Sequence, residues 1–211
     1  GSCGVKRDDK RAFVLLKLSA EQGDANAQFN LGCMYRDGIG TKKDVKRAVE
    51  LYTLSAEQGL ASPQFNLGNW YLHGTDGVKK DVKRALVLYT LAAEQGDAYA
   101  QNGLGNMYKN GDGTKPDDKR AVELYTLAAE QGLAKAQYNL GCMYANGTGA
   151  EQSFTTAREW VVKAAAQGME QAIATLKRLD EDIRRTTTTS HDDKKDTAST
   201  LNFTAGDRCL V

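Results

Sequence analysis

ANAQFNLGCMYRDGIGTKKDVKRAVELYTLSAEQG, residues 25–59, contains two helices and the signals that separate them. Ala27, Leu31, Met34, Tyr35 and Gly38 follow helical spacing and mark one packing face. That spacing predicts a first helix, helix A, over about Ala25–Asp37. Gly38-Ile39-Gly40 then breaks the helix, as glycine does beyond a helix end. Asp44 is placed to cap the next helix and to favour its positive end. Helix B is expected from about Val45 to Gln58, with Ala48, Leu51, Tyr52 and Ala56 on its buried face and Gly59 as its stop. The unit is a pair of antiparallel helices with short connections.

The unit recurs every 36 or 37 residues. Ala-Glu-Gln-Gly stands at Ala20–Gly23, Ala56–Gly59, Ala93–Gly96 and Ala129–Gly132, with Ala-Ala-Gln-Gly at Ala165–Gly168. Leu-Gly-x-x-Tyr recurs in phase at Leu31–Tyr35, Leu67–Tyr71, Leu104–Tyr108 and Leu140–Tyr144. One such pair cannot bury its apolar face alone, so tandem copies must cover one another. Gly32, Gly68, Gly105 and Gly141 lie inside helix A, where glycine costs about 1 kcal/mol relative to alanine. Their recurrence predicts close approach by a neighbouring helix. Lys177 takes that position in the last unit, where no further repeat follows.

An array is expected over residues 1–183: a partial first repeat, repeats near 25–59, 61–96, 98–132 and 134–168, and a capping helix over 169–183. The opening residues resemble the middle of a repeat, so the sequence is expected to be a piece of a longer array. Residues 184–211 lack apolar periodicity and are expected to form a disordered, threonine-rich tail. The net charge of +1 shows no basic excess of the kind that binds nucleic acid. No apolar run is long enough to span a bilayer. Cys3, Cys33, Cys142 and Cys209 are scattered, which argues against a disulfide framework and a tetrahedral zinc site and favours a reducing compartment.

The pattern Ala-x-Ala-Gln-x-x-Leu-Gly-x-x-Tyr, a Gly-rich loop, Asp-x-x-Lys-(Arg)-Ala and Ala-Glu-Gln-Gly resembles the Sel1-like repeat, a relative of the tetratricopeptide repeat. The resemblance covers residues 1 to about 180. Pro63 and Asn102-Gly103 are departures. The first falls in a helical first turn, where proline is tolerated; the second is expected to weaken its helix. The resemblance implies an all-α fold, a right-handed α-solenoid of tandem antiparallel helix pairs. It also implies a non-catalytic adaptor or scaffold within a degradation or signalling complex. Two alternatives stay open: a secreted hydrolase-like member of the β-lactamase type, and a fragment of a larger enzyme that carries these repeats.

By analogy with related solenoids, the A helices line a concave side. Helix A positions that vary between copies then form a stripe of candidate partner-binding residues. They are Asn26 and Asn30 in the first copy, Asn66, Asn69 and His73 in the second, Tyr99, Asn106 and Asn110 in the third, and Lys135 and Asn139 in the fourth. An amide offers two donors and an acceptor, so it pairs with a peptide backbone without demanding charge. Four rungs at about 8–10 Å would span roughly 30 Å, enough for about nine extended residues. The expected occupant is a protein or peptide segment.

Catalytic, cofactor and metal sites are not expected. The Gly-x-Gly loops join two helices, whereas a phosphate cradle joins a strand to a helix. Asp112-Gly113-Thr114 with Asp117 and Asp118 lacks the acidic alternation of a calcium loop. His73 and His191, the two histidines, have no serine or cysteine partner in register.

Overall fold

A computed structural model describes residues 8–74 and 77–192, with the side chains of 182 and 185–192 left aside. All ten elements among the described residues are α-helices. The chain divides between Asp97 and Ala98 into two compact units. The first holds α1 (Asp9–Glu21), α2 (Ala25–Asp37), α3 (Val45–Glu57), α4 (Ala61–His73) and α5 (Val82–Glu94). The second holds α6 (Ala98–Asn110), α7 (Asp118–Glu130), α8 (Ala134–Asn146), α9 (Phe154–Ala166) and α10 (Glu170–Asp192). Within each unit, every helix packs against the next in sequence.

Side-chain caps start the second helix of each pair. The carboxylates of Asp8, Asp44, Asp81 and Asp117 each accept the backbone N–H three residues on, at 3.0 Å, and Ser153 does the same for α9 at 3.2 Å. Left-handed glycines end the first helices: Gly38, Gly74 and Gly147 have φ of 71°, 67° and 64°. The loop is then tied back to its own helix. The N–H groups of Asp44, Asp81, Asp117 and Ser153 donate to the carbonyls of Tyr35, Tyr71, Tyr108 and Tyr144 at 2.8–3.0 Å. Pro63 sits buried in the first turn of α4, and α6 runs unbroken through Asn102-Gly103.

The glycine inside each first helix makes room for the helix that follows it. A Cβ on Gly32 would stand 2.7 Å from the Tyr52 ring, one on Gly105 2.7 Å from Tyr125, and one on Gly68 3.2 Å from Tyr89. At Gly141 the neighbours are Val161 Cγ2 at 2.6 Å and the Ala157 carbonyl at 3.0 Å. The close approach is therefore made mostly by a tyrosine ring lying over the glycine. Tyr52, Tyr89 and Tyr125 are buried to 0%, 2% and 0% exposure.

The buried glutamine in the first turn of the first helix is a clamp, and the glutamine of the Ala-Glu-Gln-Gly motif is one of its partners. Gln28 Nε2 donates to the Ala20 carbonyl at the end of α1, and Gln28 Oε1 accepts from Gln58 Nε2 at the end of α3. One amide therefore joins three helices. Gln64 repeats this with Ala56 and Gln95, and Gln137 repeats it with Ala129 and Gln167.

Two expectations change. α10 continues to Asp192, past the boundary expected at 183, because no glycine or proline interrupts residues 170–192. Residues 193–211 of the expected tail lie outside the described residues. Cys142 is disulfide-bonded, whereas Cys33 is a free thiol. Scattered spacing along a chain does not forbid a cross-link.

Alanine replacements should separate the glycines. At Gly32 and Gly105 the overpacking cost of about 1–3 kcal/mol exceeds the gain of about 1 kcal/mol in helix propensity. Gly68→Ala, with its looser contact, should be near neutral. Urea midpoints give the order, and equal stabilisation at all three sites would remove the tyrosine contact as the constraint. Burial also pushes the Tyr52, Tyr89 and Tyr125 phenols up. The unfolded chain releases these protons near pH of about 10 while the folded chain holds them, so stability should fall as pH rises beyond that value. Urea unfolding at pH of about 8 to about 11 should show a shallower fall for the Tyr89→Phe/Tyr125→Phe variant.

Candidate functional site

Packing fixes the inner side of each first helix, and the structure divides the predicted stripe into two kinds of residue. Asn69, Asn106 and Asn139 already have internal partners. Asn69 Oδ1 accepts from Tyr89 Oη at 2.8 Å, and its Nδ2 donates to the Phe65 carbonyl at 3.2 Å. Asn106 Oδ1 accepts from Tyr125 Oη at 2.5 Å. Cys33, at the equivalent position, lies 3.1 Å from Tyr52 Oη in a hydrogen bond. A buried phenol needs such a partner. In the fourth copy Val161 replaces the tyrosine and Cys142 replaces the amide.

Asn139 is only 4% exposed. Its Nδ2 donates to Asn102 Oδ1 at 3.0 Å and to Asn106 Oδ1 at 3.4 Å. Asn102, Asn106, Asn139 and Tyr125 thus form one polar network inside the second unit. No buried side-chain N or O among the described residues lacks a hydrogen-bond partner. Asn66 is half-buried: its Nδ2 donates to the Ser62 carbonyl at 2.8 Å, and its Oδ1 accepts from Arg36 at 3.5 Å.

The stripe residues at the helix ends, and Asn30 in the middle of α2, are different. Asn26, Asn30 and His73 are exposed in the first unit, and Tyr99, Asn110 and Lys135 are exposed in the second. Tyr99 is 61% exposed, the most exposed of the large apolar or aromatic side chains described. Asn110 Nδ2 donates to Asp112 Oδ2 at 3.4 Å.

Charge on the same helices is held in place locally. Arg36 donates to both carboxylate oxygens of Asp37, at 2.8 and 2.7 Å. That pair of bonds holds the Asp37 carboxyl below its usual range. Lys109, at the Arg36 position of α6, is pulled down by burial, against the opposing pull of Asp118. Sequence reasoning missed Arg36 and Lys109; their shared register, one residue before the stripe, was the available signal. Among the described residues no group of three or more His, Cys, Asp or Glu is placed to hold a metal ion. No described helix is long and apolar enough to cross a membrane.

Tandem antiparallel helix pairs, glycine under tyrosine and glutamine clamps between successive pairs define a helical-repeat protein of the α-solenoid class. The Sel1 repeat model matches residues 1–24, 25–60, 64–97, 98–133 and 134–169, and the chain belongs to the Sel1 repeat family. A Sel1 repeat protein from Oxalobacter formigenes is similar at 37% identity, over 82% of this chain and 68% of that one, with a TM-score of 0.76. A protective antigen of uropathogenic Escherichia coli with an SLR fold is 39% identical over 76% of this chain, with a TM-score of 0.73. The match covers 34% of the antigen, so the chain spans about a third of its length. An immunity protein from Pseudomonas aeruginosa shares the fold at 23% identity and a TM-score of 0.51. No curated protein sequence matches the chain.

Alanine at Asn69, Asn106 or Asn139 should cost about 1–3 kcal/mol, because each change strands a buried polar group. Asn30→Ala should stay within about 0.5 kcal/mol. Urea denaturation followed by circular dichroism measures both. A silent Asn106→Ala would show that the Tyr125 hydroxyl does not depend on it.

Proposed function

We propose that the protein is a non-catalytic interaction module, and that exposed residues of its first helices hold a segment of a partner protein. The Sel1 repeat fold is commonly used for protein–protein interaction, which supports the general role. One observation carries the finer reading: near-identical repeats differ where their first helices are exposed. The first-turn position reads Asn26, Ser62, Tyr99 and Lys135, and the last-turn position reads Asp37, His73, Asn110 and Asn146. All eight side chains are exposed. Packing does not set these identities, so they are available to recognition.

The inner amides Asn69, Asn106 and Asn139 shape the floor of this surface, while the end residues make the contacts. Tyr99 is the strongest anchor, since an exposed aromatic supplies large contact area at little cost in conformational freedom. Within each unit two such rungs, about 8–10 Å apart, would contact a correspondingly shorter extended segment. A complex that also performs degradation or signalling is consistent with such a module. The hydrolase-like alternative gains no support from the matched family or the similar structures.

A partner captured by affinity purification and identified by mass spectrometry provides the test. Tyr99→Ala/Lys135→Ala in the second unit, and Asn26→Ala/His73→Ala in the first, should each leave the urea midpoint unchanged. At least one pair should weaken binding about tenfold or more. Full binding by both variants would remove the proposal.

A further inference from the structure

The dipeptide Asn-Gly occurs at three places in the sequence, Asn102-Gly103, Asn110-Gly111 and Asn146-Gly147, and all three fall in the second unit. Asparagine followed by glycine is the pair whose side chain reacts most readily with its own backbone. The glycine has no Cβ to shield its nitrogen from the asparagine Cγ. The three copies of the pair sit in three different settings, so each is a control for the others.

Asn102 lies inside α6, 7% exposed, and its Oδ1 accepts from Asn139 Nδ2 at 3.0 Å. Turning its backbone out of the helix means opening the buried polar network, which approaches the cost of unfolding. Asn110 ends α6 and is exposed, yet two contacts hold the pair. Its Nδ2 donates to Asp112 Oδ2 at 3.4 Å, and the N–H of half-buried Gly111 donates to the Met107 carbonyl at 2.9 Å. Asn146 ends α8, and both Asn146 and Gly147 are exposed. Thr148 stands where Asp112 stands, so the carboxylate that holds the Asn110 amide has no counterpart. The Gly147 N–H is shared between the Met143 and Tyr144 carbonyls and lies 3.4 Å from the latter, longer than a good hydrogen bond.

We propose that Asn146 is a site of spontaneous succinimide formation, which turns this amide into a carboxylate. Helix ends open at low cost. Once the last turn of α8 opens, the Gly147 nitrogen attacks Asn146 Cγ. The new N–C bond closes a five-membered imide, the Cγ–Nδ2 bond breaks, and Nδ2 leaves as ammonia with the proton of the Gly147 N–H. Water then opens the ring at either carbonyl and yields aspartate or isoaspartate. The product carries at residue 146 the charge that Asp37 carries at the same position of α2. Arg36 donates to the Asp37 carboxylate, whereas Ala145 precedes Asn146. The new charge therefore lacks that arginine and stands at the negative end of α8.

Ageing of the full chain in mildly alkaline buffer, then digestion in mild acid and peptide mapping by mass spectrometry, tests the site. Asn146 should gain aspartate and isoaspartate first and Asn110 more slowly, with Asn102 at least about tenfold slower than Asn146. An isoaspartyl methyltransferase should label the peptide that holds residue 146. The Asn146→Gln variant should lose that label, because its longer side chain would have to close a six-membered ring. Residue 146 is exposed, and circular dichroism checks that the variant remains folded. The chain aged in concentrated urea should react at all three sites at similar rates, since only the fold distinguishes them. An Asn146 that stays intact in the folded chain overturns the proposal. So does an Asn110 that reacts ahead of it, or an Asn102 that keeps pace with it.

Discussion

A tyrosine ring lying on a glycine holds the repeat together. Placing the phenol of Tyr52, Tyr89 or Tyr125 in the core gains apolar burial and contact with the facing helix. It also brings in a hydroxyl that must be satisfied. The glycine supplies the space, and a side chain one residue further along the same helix supplies the hydrogen-bond partner. Gly32 with Cys33, Gly68 with Asn69 and Gly105 with Asn106 are two-residue sockets for one ring. The helix-propensity penalty of about 1 kcal/mol per glycine is offset by this burial. In the fourth pair no hydroxyl is present, and Val161 fills the same glycine.

The socket explains why the candidate binding face is split. Residues that serve the ring point inward, so Asn69, Asn106 and Asn139 are structural before they are anything else. The helix ends escape that duty. Variation between the copies concentrates there, on Asn26, Tyr99, Lys135, His73 and Asn110. A common frame with free corners lets one architecture present different chemistry in each repeat.

Much of the fold was legible in the sequence. α2 and α3 lie at the ends expected for them because glycine and aspartate act locally: a left-handed residue stops a helix and a carboxylate caps one. The amide stripe was less legible. Whether Asn69 faces solvent or a phenol depends on Tyr89, twenty residues away on the following helix, and no local rule reports that pairing. Gln28 and Gln58 were visible as motif letters, but their bond joins the ends of different helices. The end of α10 was misjudged because a threonine run suggests irregular chain, although nothing in residues 170–192 obliges a helix to stop.

Each unit also has two unlike margins. At one, three-residue links join Glu57 to Ala61 and Glu130 to Ala134, and buried glutamines stitch successive helices together. At the other, seven residues separate Asp37 from Val45 and Asn110 from Asp118. Elastic deformation will favour the longer connections, because lengthening the stitched margin would tear amide bonds from buried carbonyls. A unit so built flexes like a hand fan about its rivet, spreading along one border while the opposite border keeps its length.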